Sequence, residues 1–172
     1  MNKQFKYIII FLSAFAIRLI PFKAPNVEPI MASIMPLSKS YSKLMIFVFG
    51  FLSIALFDSI TSGLGIWTLI TAVAYGLLGL GAVSFFKNRS GWKNYVSFAV
   101  VSTILYDAFT GLTIGPLFFH QSFMVSLVGQ VPFTVIHLLG NVSFAIVVSP
   151  ILEKWLMKSE SKVMVKSVVL VS

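Results

Sequence analysis

AFTGLTIGPLFFHQSFMVSLVGQVPFTVIHLLGNVSFAIVVSPIL, residues 108–152, is a run of 45 positions without a formal charge, bounded by Asp107 and Glu153. Soluble domains carry roughly 25% charged residues and do not leave so long a stretch uncharged. About 20 residues cross ~30 Å of hydrocarbon, so the run is also too long for one span. The reading divides it into the end of a fifth helix, an apolar loop with a short helical turn over about 111–130, and a sixth helix from about Pro132 to Leu156. Pro132 suits the first turn of a helix, where its missing N–H costs no hydrogen bond.

The remainder of the chain agrees with a membrane setting. Of 172 residues, 58% are hydrophobic and only 10% charged, with a mean hydropathy of +0.95. Six helices of about 20 residues would use about 120 positions. Too little is left for a large soluble domain or a separate nucleotide-binding module. With no cysteine, thiol catalysis, disulfides and Cys-based metal sites are excluded.

A first helix is expected over about 5–21, uncleaved because no small-residue cleavage site follows it, and ended by Pro21 and Pro25. Residues 26–37, bracketed by Pro29 and Pro36, suggest a short second helix, tilted or partly unwound. The third helix runs from about Leu44 to Thr61, the fourth from about Ile66 to Phe86, the fifth from about Tyr95 to Thr110. Small residues on the fourth, among them Ala72, Gly76, Gly79 and Ala82, permit close helix approach. The expected fold class is therefore an all-α integral membrane protein, a compact bundle of about six transmembrane helices over 1–156. A basic tail, 157–172, would be disordered or lie on the membrane surface.

The formal net charge of +8 reads as positive-inside bias of cytoplasmic loops, not as a nucleic-acid surface. With six spans, Lys3, Lys6, Lys39, Lys43, Lys87, Arg89, Lys93, Lys154, Lys158, Lys162 and Lys166 fall on one side. That is 11 of the 13 positive residues, so both ends are expected in the cytoplasm of a multi-pass cell-membrane protein. Glu28, Asp58, Asp107 and His120 fall toward the other side.

Two segments match. Leu56-Phe57-Asp58-Ser59-Ile60-Thr61 and Leu105-Tyr106-Asp107-Ala108-Phe109-Thr110 share Leu-aromatic-Asp-x-x-Thr, and each runs into Gly-Leu-x-Ile. Both copies are expected to end a span on the outer side, as a parallel repeat within the membrane. A carboxylate there is costly unless partnered, so it points to function. Each Asp either contacts a ligand or holds a turn by accepting from its own Thr or from loop amides.

On the sixth helix Gln130, Thr134, His137 and Asn141 recur at spacings of four, three and four, on one face of an otherwise apolar segment. Such a stripe must face protein or a cavity. It is a pocket wall or an interhelical hydrogen-bond seam. Arg18, near the outer end of the first helix, either pairs with Glu28, Asp58 or Asp107, or recognises an anionic group. No P-loop, no His-Glu-x-x-His and no Gly-x-Ser-x-Gly is present. No spacing suits a metal, so no cofactor is expected and nothing supports an enzyme.

Arg18-Leu19-Ile20-Pro21-Phe22, Asn26-Val27-Glu28-Pro29-Ile30 and the segment from Gly129 to Asn141, in a chain of about six helices, are similar to those of substrate-binding S components of energy-coupling-factor transporters. The resemblance covers roughly residues 5–155. It implies a protein that captures a vitamin or related micronutrient from outside. A transmembrane coupling protein and two cytoplasmic ATPase subunits would drive delivery, since nothing here harvests ATP. It implies docking through small residues of the first helix, for which Ser13, Ala14 and Ala16 are nearest, without the family's Ala-x-x-x-Ala spacing. Asn2, where metal-type members carry His, argues against a metal ion as substrate. The expected pocket, at the outer end, is walled by Asn26, Glu28, Asp58, Trp67, Asp107, His120, Gln130, Thr134, His137 and Asn141. The rival readings are a cell-envelope scaffold of the rod-shape-determining type and a small intramembrane enzyme. A polar cavity would favour transport, and a stripe filled by side chains would favour the scaffold.

Overall fold

A computed structural model describes residues 2–20 and 29–169, with side chains as far as Met157. Among the described residues it holds six α-helices and no strand. They are α1 (Lys3–Arg18), α2 (Ile30–Leu37), α3 (Lys43–Ile60), α4 (Ile66–Phe85), α5 (Trp92–Phe118) and α6 (Phe123–Val169), with a 3-10 turn at Phe86–Asn88 after α4. The starts follow local capping chemistry: Asn2 accepts from the Gln4 amide at 3.3 Å and Ser42 from the Met45 amide at 3.4 Å.

Among the described residues four helices are long and apolar enough to cross a membrane: α3, α4 with its 3-10 turn, α5, and α6 as far as Met157. Their outward faces are greasy, with Leu44, Leu105 and Leu139 all more than half exposed. α1 has 16 residues and α2 only eight, about 24 and 12 Å of rise.

The short α2 is the centre of the bundle. All eight of its residues are buried, and it touches each of the other five helices. Pro36 inside it has no N–H, so the Ala32 carbonyl one turn back loses its helical donor. Ser149 of α6 supplies the replacement, its hydroxyl donating to Ala32 O at 2.9 Å. A backbone acceptor stranded in an apolar interior costs several kcal/mol, and one serine satisfies it.

α3 and α4 pack at backbone distance. A Cβ on Gly50 would sit 2.6 Å from the Tyr75 carbonyl oxygen, and one on Gly79 would sit 2.9 Å from that of Ile46. The glycine positions on α4 thus act as their small size suggests.

Two ends of the bundle are distinguishable. At one, Lys39 pairs with Glu153 and donates to Ser90 Oγ at 2.6 Å. Tyr41 donates to the Lys3 carbonyl and Lys6 to those of Trp155 and Leu156. At the other, Trp67 lies against Phe119 with ring centroids 6.4 Å apart. The α3–α4 turn and the α5–α6 turn therefore share that end.

Several expectations are corrected. α5 does not stop near Thr110 but runs to Phe118. Residues 111–130 are not a loop; the chain reverses only at 119–122, and α6 begins at Phe123. Pro132 accordingly lies inside α6, not in its first turn. The physical reason is the medium: irregular backbone has no solvent to bond within hydrocarbon, so helix persists through glycine and proline where packing allows. The tail after Leu156 continues as helix to Val169, the form that a segment lying on a membrane surface also takes. Of the small residues of α1, Ala14 is buried, and Ser13 and Ala16 are exposed one turn apart.

Candidate functional site

α5 and α6 run antiparallel and meet through polar and small residues at matched intervals. A Cβ on Gly115 would lie 2.7 Å from Ser126 Oγ, and one on Gly111 only 1.7 Å from Gln130 Oε1. One turn further along α5 and two along α6, Asp107 Oδ1 meets His137 Nδ1 at 2.7 Å. One turn beyond that, Asn141 Nδ2 donates to Thr103 Oγ1 at 2.8 Å. Stepping by four back along α5 and by four, seven and four forward along α6 keeps each pair on the facing stripe. Gln130 also donates to Thr134 Oγ1 at 3.3 Å within α6.

The centre of this seam is the candidate site. Asp107 is fully buried and His137 is 3% exposed. Asp107 lies 11 residues before the end of α5, about 16 Å along the axis, so it does not end a span as the repeat suggests. With Asp107 ionised, His137 Nδ1 is the donor of their bond. Aromatic rings flank the imidazole, Tyr106 at 6.1 Å and Phe133 at 5.9 Å, both near-perpendicular. Thr103 Oγ1 in turn lies 3.8 Å from Met31 Sδ of the central α2.

The seam is only partly satisfied. Asp107 Oδ2, His137 Nε2 and Asn141 Oδ1 are buried and make no hydrogen bond. Buried polar atoms are normally paired, yet here one on α5 and two on α6, a single turn apart, are left over at the same seam. With a neutral imidazole all three are acceptors; together they match a group rich in N–H or O–H donors. Among the described residues no three His, Asp or Glu side chains come together as a metal ion requires.

The first copy of the repeat does something else. Asp58 Oδ2 accepts from Thr68 Oγ1 at 2.6 Å, and that oxygen accepts from the Gly65 amide at 3.3 Å. Asp58 therefore fastens the end of α3 to the start of α4. The copies share one local feature: Thr61 and Thr110 each donate to the carbonyl of the aromatic residue four back, at 2.8 Å. Neither donates to its own aspartate, which was one of the two ways the repeat was expected to hold a turn. Gly63, with φ +78°, makes the sharp turn after the first copy, whereas Gly111 stays helical.

The eight predicted wall residues that are described do not converge on one outer pocket. Asp107, His137 and Asn141 are brought together, with Gln130 and Thr134 further along the same face. Trp67 packs on Phe119, and His120 is exposed with φ 52° in the α5–α6 turn, where it ends a helix in the left-handed conformation usually left to glycine. Asn26 and Glu28 lie outside the described residues. A cavity of about 480 Å³ lies elsewhere, between α4 and α5, and its lining holds none of those eight. Arg18 stacks its guanidinium 4.1 Å over the Phe57 ring. Thr103, Ser126 and Ser149 were missed by sequence reasoning. Gly111-x-x-x-Gly115 was the available signal, a small-x-x-x-small pattern of the kind that seats a neighbouring helix.

Comparison with protein families, with curated proteins and with solved structures finds no match to this chain.

Proposed function

We propose that the chain is the membrane-embedded substrate-capture subunit of an importer of the energy-coupling-factor type. It takes a vitamin or related micronutrient at the outer face, with both chain ends cytoplasmic. A separate transmembrane coupling protein and two ATPase subunits supply the movement. The observation that carries the reading is the set of unmatched polar atoms on Asp107, His137 and Asn141, buried between two long apolar helices. Polar residues within spans are expensive and mark ligand or ion sites, and ligand sites combine an apolar lining with a few convergent polar groups. Donor-rich neutral or cationic ligands fit this acceptor set; multiply anionic ones would face the Asp107 carboxylate.

One observation favours the rival reading of a scaffold. Gln130, His137 and Asn141 each reach a protein partner, as a packing seam does.

One experiment separates the two. The full chain, purified in detergent, is analysed by mass spectrometry for co-purified small molecules, and a panel of vitamins is titrated by calorimetry. Transport predicts saturable binding of one compound, weakened more than about tenfold by His137→Ala or by Asn141→Ala, a loss of roughly 1.4 kcal/mol or more. Folded protein that binds nothing across the panel supports the scaffold.

A further inference from the structure

The groove between α4 and α5 is a different feature, remote in chemistry from the Asp107–His137 pair. Its lining runs from Ala74 to Phe85 on α4 and from Ser97 to Phe109 on α5, a length of about 17 Å. That is close to the depth of one leaflet, half of the ~30 Å hydrocarbon core. Leu77, Val101 and Leu105 lie along it with more than half of their surface exposed.

One mouth of the groove is strongly basic. Lys87 and Arg89 in the short connection from α4 to α5 and Lys93 in the first turn of α5 are all exposed. The Arg89 guanidinium stands 4.3 Å over the ring of Phe85, itself a groove residue. Glu153, the acid at this end, is engaged by Lys39.

We propose that this groove binds an anionic glycerophospholipid, an acyl chain lying along α4 and α5 and the phosphate held by Arg89 with Lys87 and Lys93. Both halves of the surface require it. A soluble anion has no use for a long apolar slot, and a second copy of this chain would bring the same cations against these. Basic pockets beside membrane helices select anionic headgroups in this way, and the guanidinium fork matches phosphate oxygens.

The test is native mass spectrometry of the delipidated full chain, offered dioleoyl phosphatidylglycerol or dioleoyl phosphatidylcholine. The wild type should retain one phosphatidylglycerol at least about tenfold better than phosphatidylcholine. The triple variant Lys87→Gln, Arg89→Gln, Lys93→Gln should bring the two within about twofold. Gly81→Leu should weaken retention of both lipids, because a Cβ at Gly81 meets nothing within 4 Å and its side chain enters the groove without displacing a helix. Free glycerol 3-phosphate should fail to displace the lipid. Equal retention of the two lipids by the wild type overturns the proposal. So does a triple variant that keeps its preference, displacement by glycerol 3-phosphate, or wild-type retention by folded Gly81→Leu.

Discussion

Asp107 and His137 set a problem of magnitudes. Hydrogen bonds between membrane helices contribute about 0.6 kcal/mol on average and about 1.7 at most. A hydrogen bond from a neutral imidazole to an ionised carboxylate contributes roughly 1.5–3 kcal/mol, and removing the donor leaves the buried charge uncompensated. The neutral Thr103–Asn141 bond one turn away is an internal standard in the same medium. Double-mutant cycles with alanine, read by unfolding in mixed micelles, should therefore differ. Thr103–Asn141 should couple by about 0.6 kcal/mol and Asp107–His137 by more than about 1.7. Equal, small couplings would mean that Asp107 sits in the seam as a neutral acid, and the charged-site argument would fail. The helical spacing of Gln130, Thr134, His137 and Asn141 made one polar face legible from the sequence. What met that face was not legible, because partners on α5 are set by the antiparallel register, and the register depends on where the chain reverses.

That reversal is decided at the scale of the helix. Gly111, Gly115 and Pro116 read as loop punctuation in a soluble chain, yet α5 passes through all three. In hydrocarbon an unbonded peptide group costs more than the ~1 kcal/mol intrinsic penalty of a helical glycine, so helix wins. Glycines of these helices also separate by what a Cβ would meet. Gly50→Ala would drive a methyl into the Tyr75 carbonyl of the neighbouring helix, 2.6 Å away. Neither backbone can yield, and overpacking of this kind costs about 1–3 kcal/mol. Gly111→Ala meets only the end of the flexible Gln130 side chain, so its loss should stay under about 1 kcal/mol, offset in part by better helix propensity. Gly81→Ala meets nothing and should be neutral or stabilising by up to about 1 kcal/mol. Thermal unfolding in detergent should rank them Gly81→Ala, Gly111→Ala, Gly50→Ala from most to least stable. If Gly50→Ala matched the wild type, the close α3–α4 contact would be wrong.

For the whole molecule the open quantity is its direction in the membrane. The Lys39–Ser90 bond holds the turn after α2 and the α4–α5 connection at one end, and the Trp67–Phe119 contact holds the other two turns at the opposite end. The basic residues Lys3, Lys39, Lys43, Lys87, Arg89 and Lys93 belong to the first end, and loops rich in Lys and Arg stay in the cytoplasm. The same bias follows from the sequence alone, but only the contacts show which turns share a side. Because the chain has no cysteine, single introduced thiols report position without background. Ser62→Cys and Ser122→Cys, both at exposed positions, should react with a membrane-impermeant maleimide in intact cells. Asn88→Cys, exposed in the basic connection, should react only after permeabilisation. Reaction at Asn88→Cys in intact cells would invert the bundle. Capture from outside would then have to begin at the lysine-rich end, and the proposed importer would lose its physical basis.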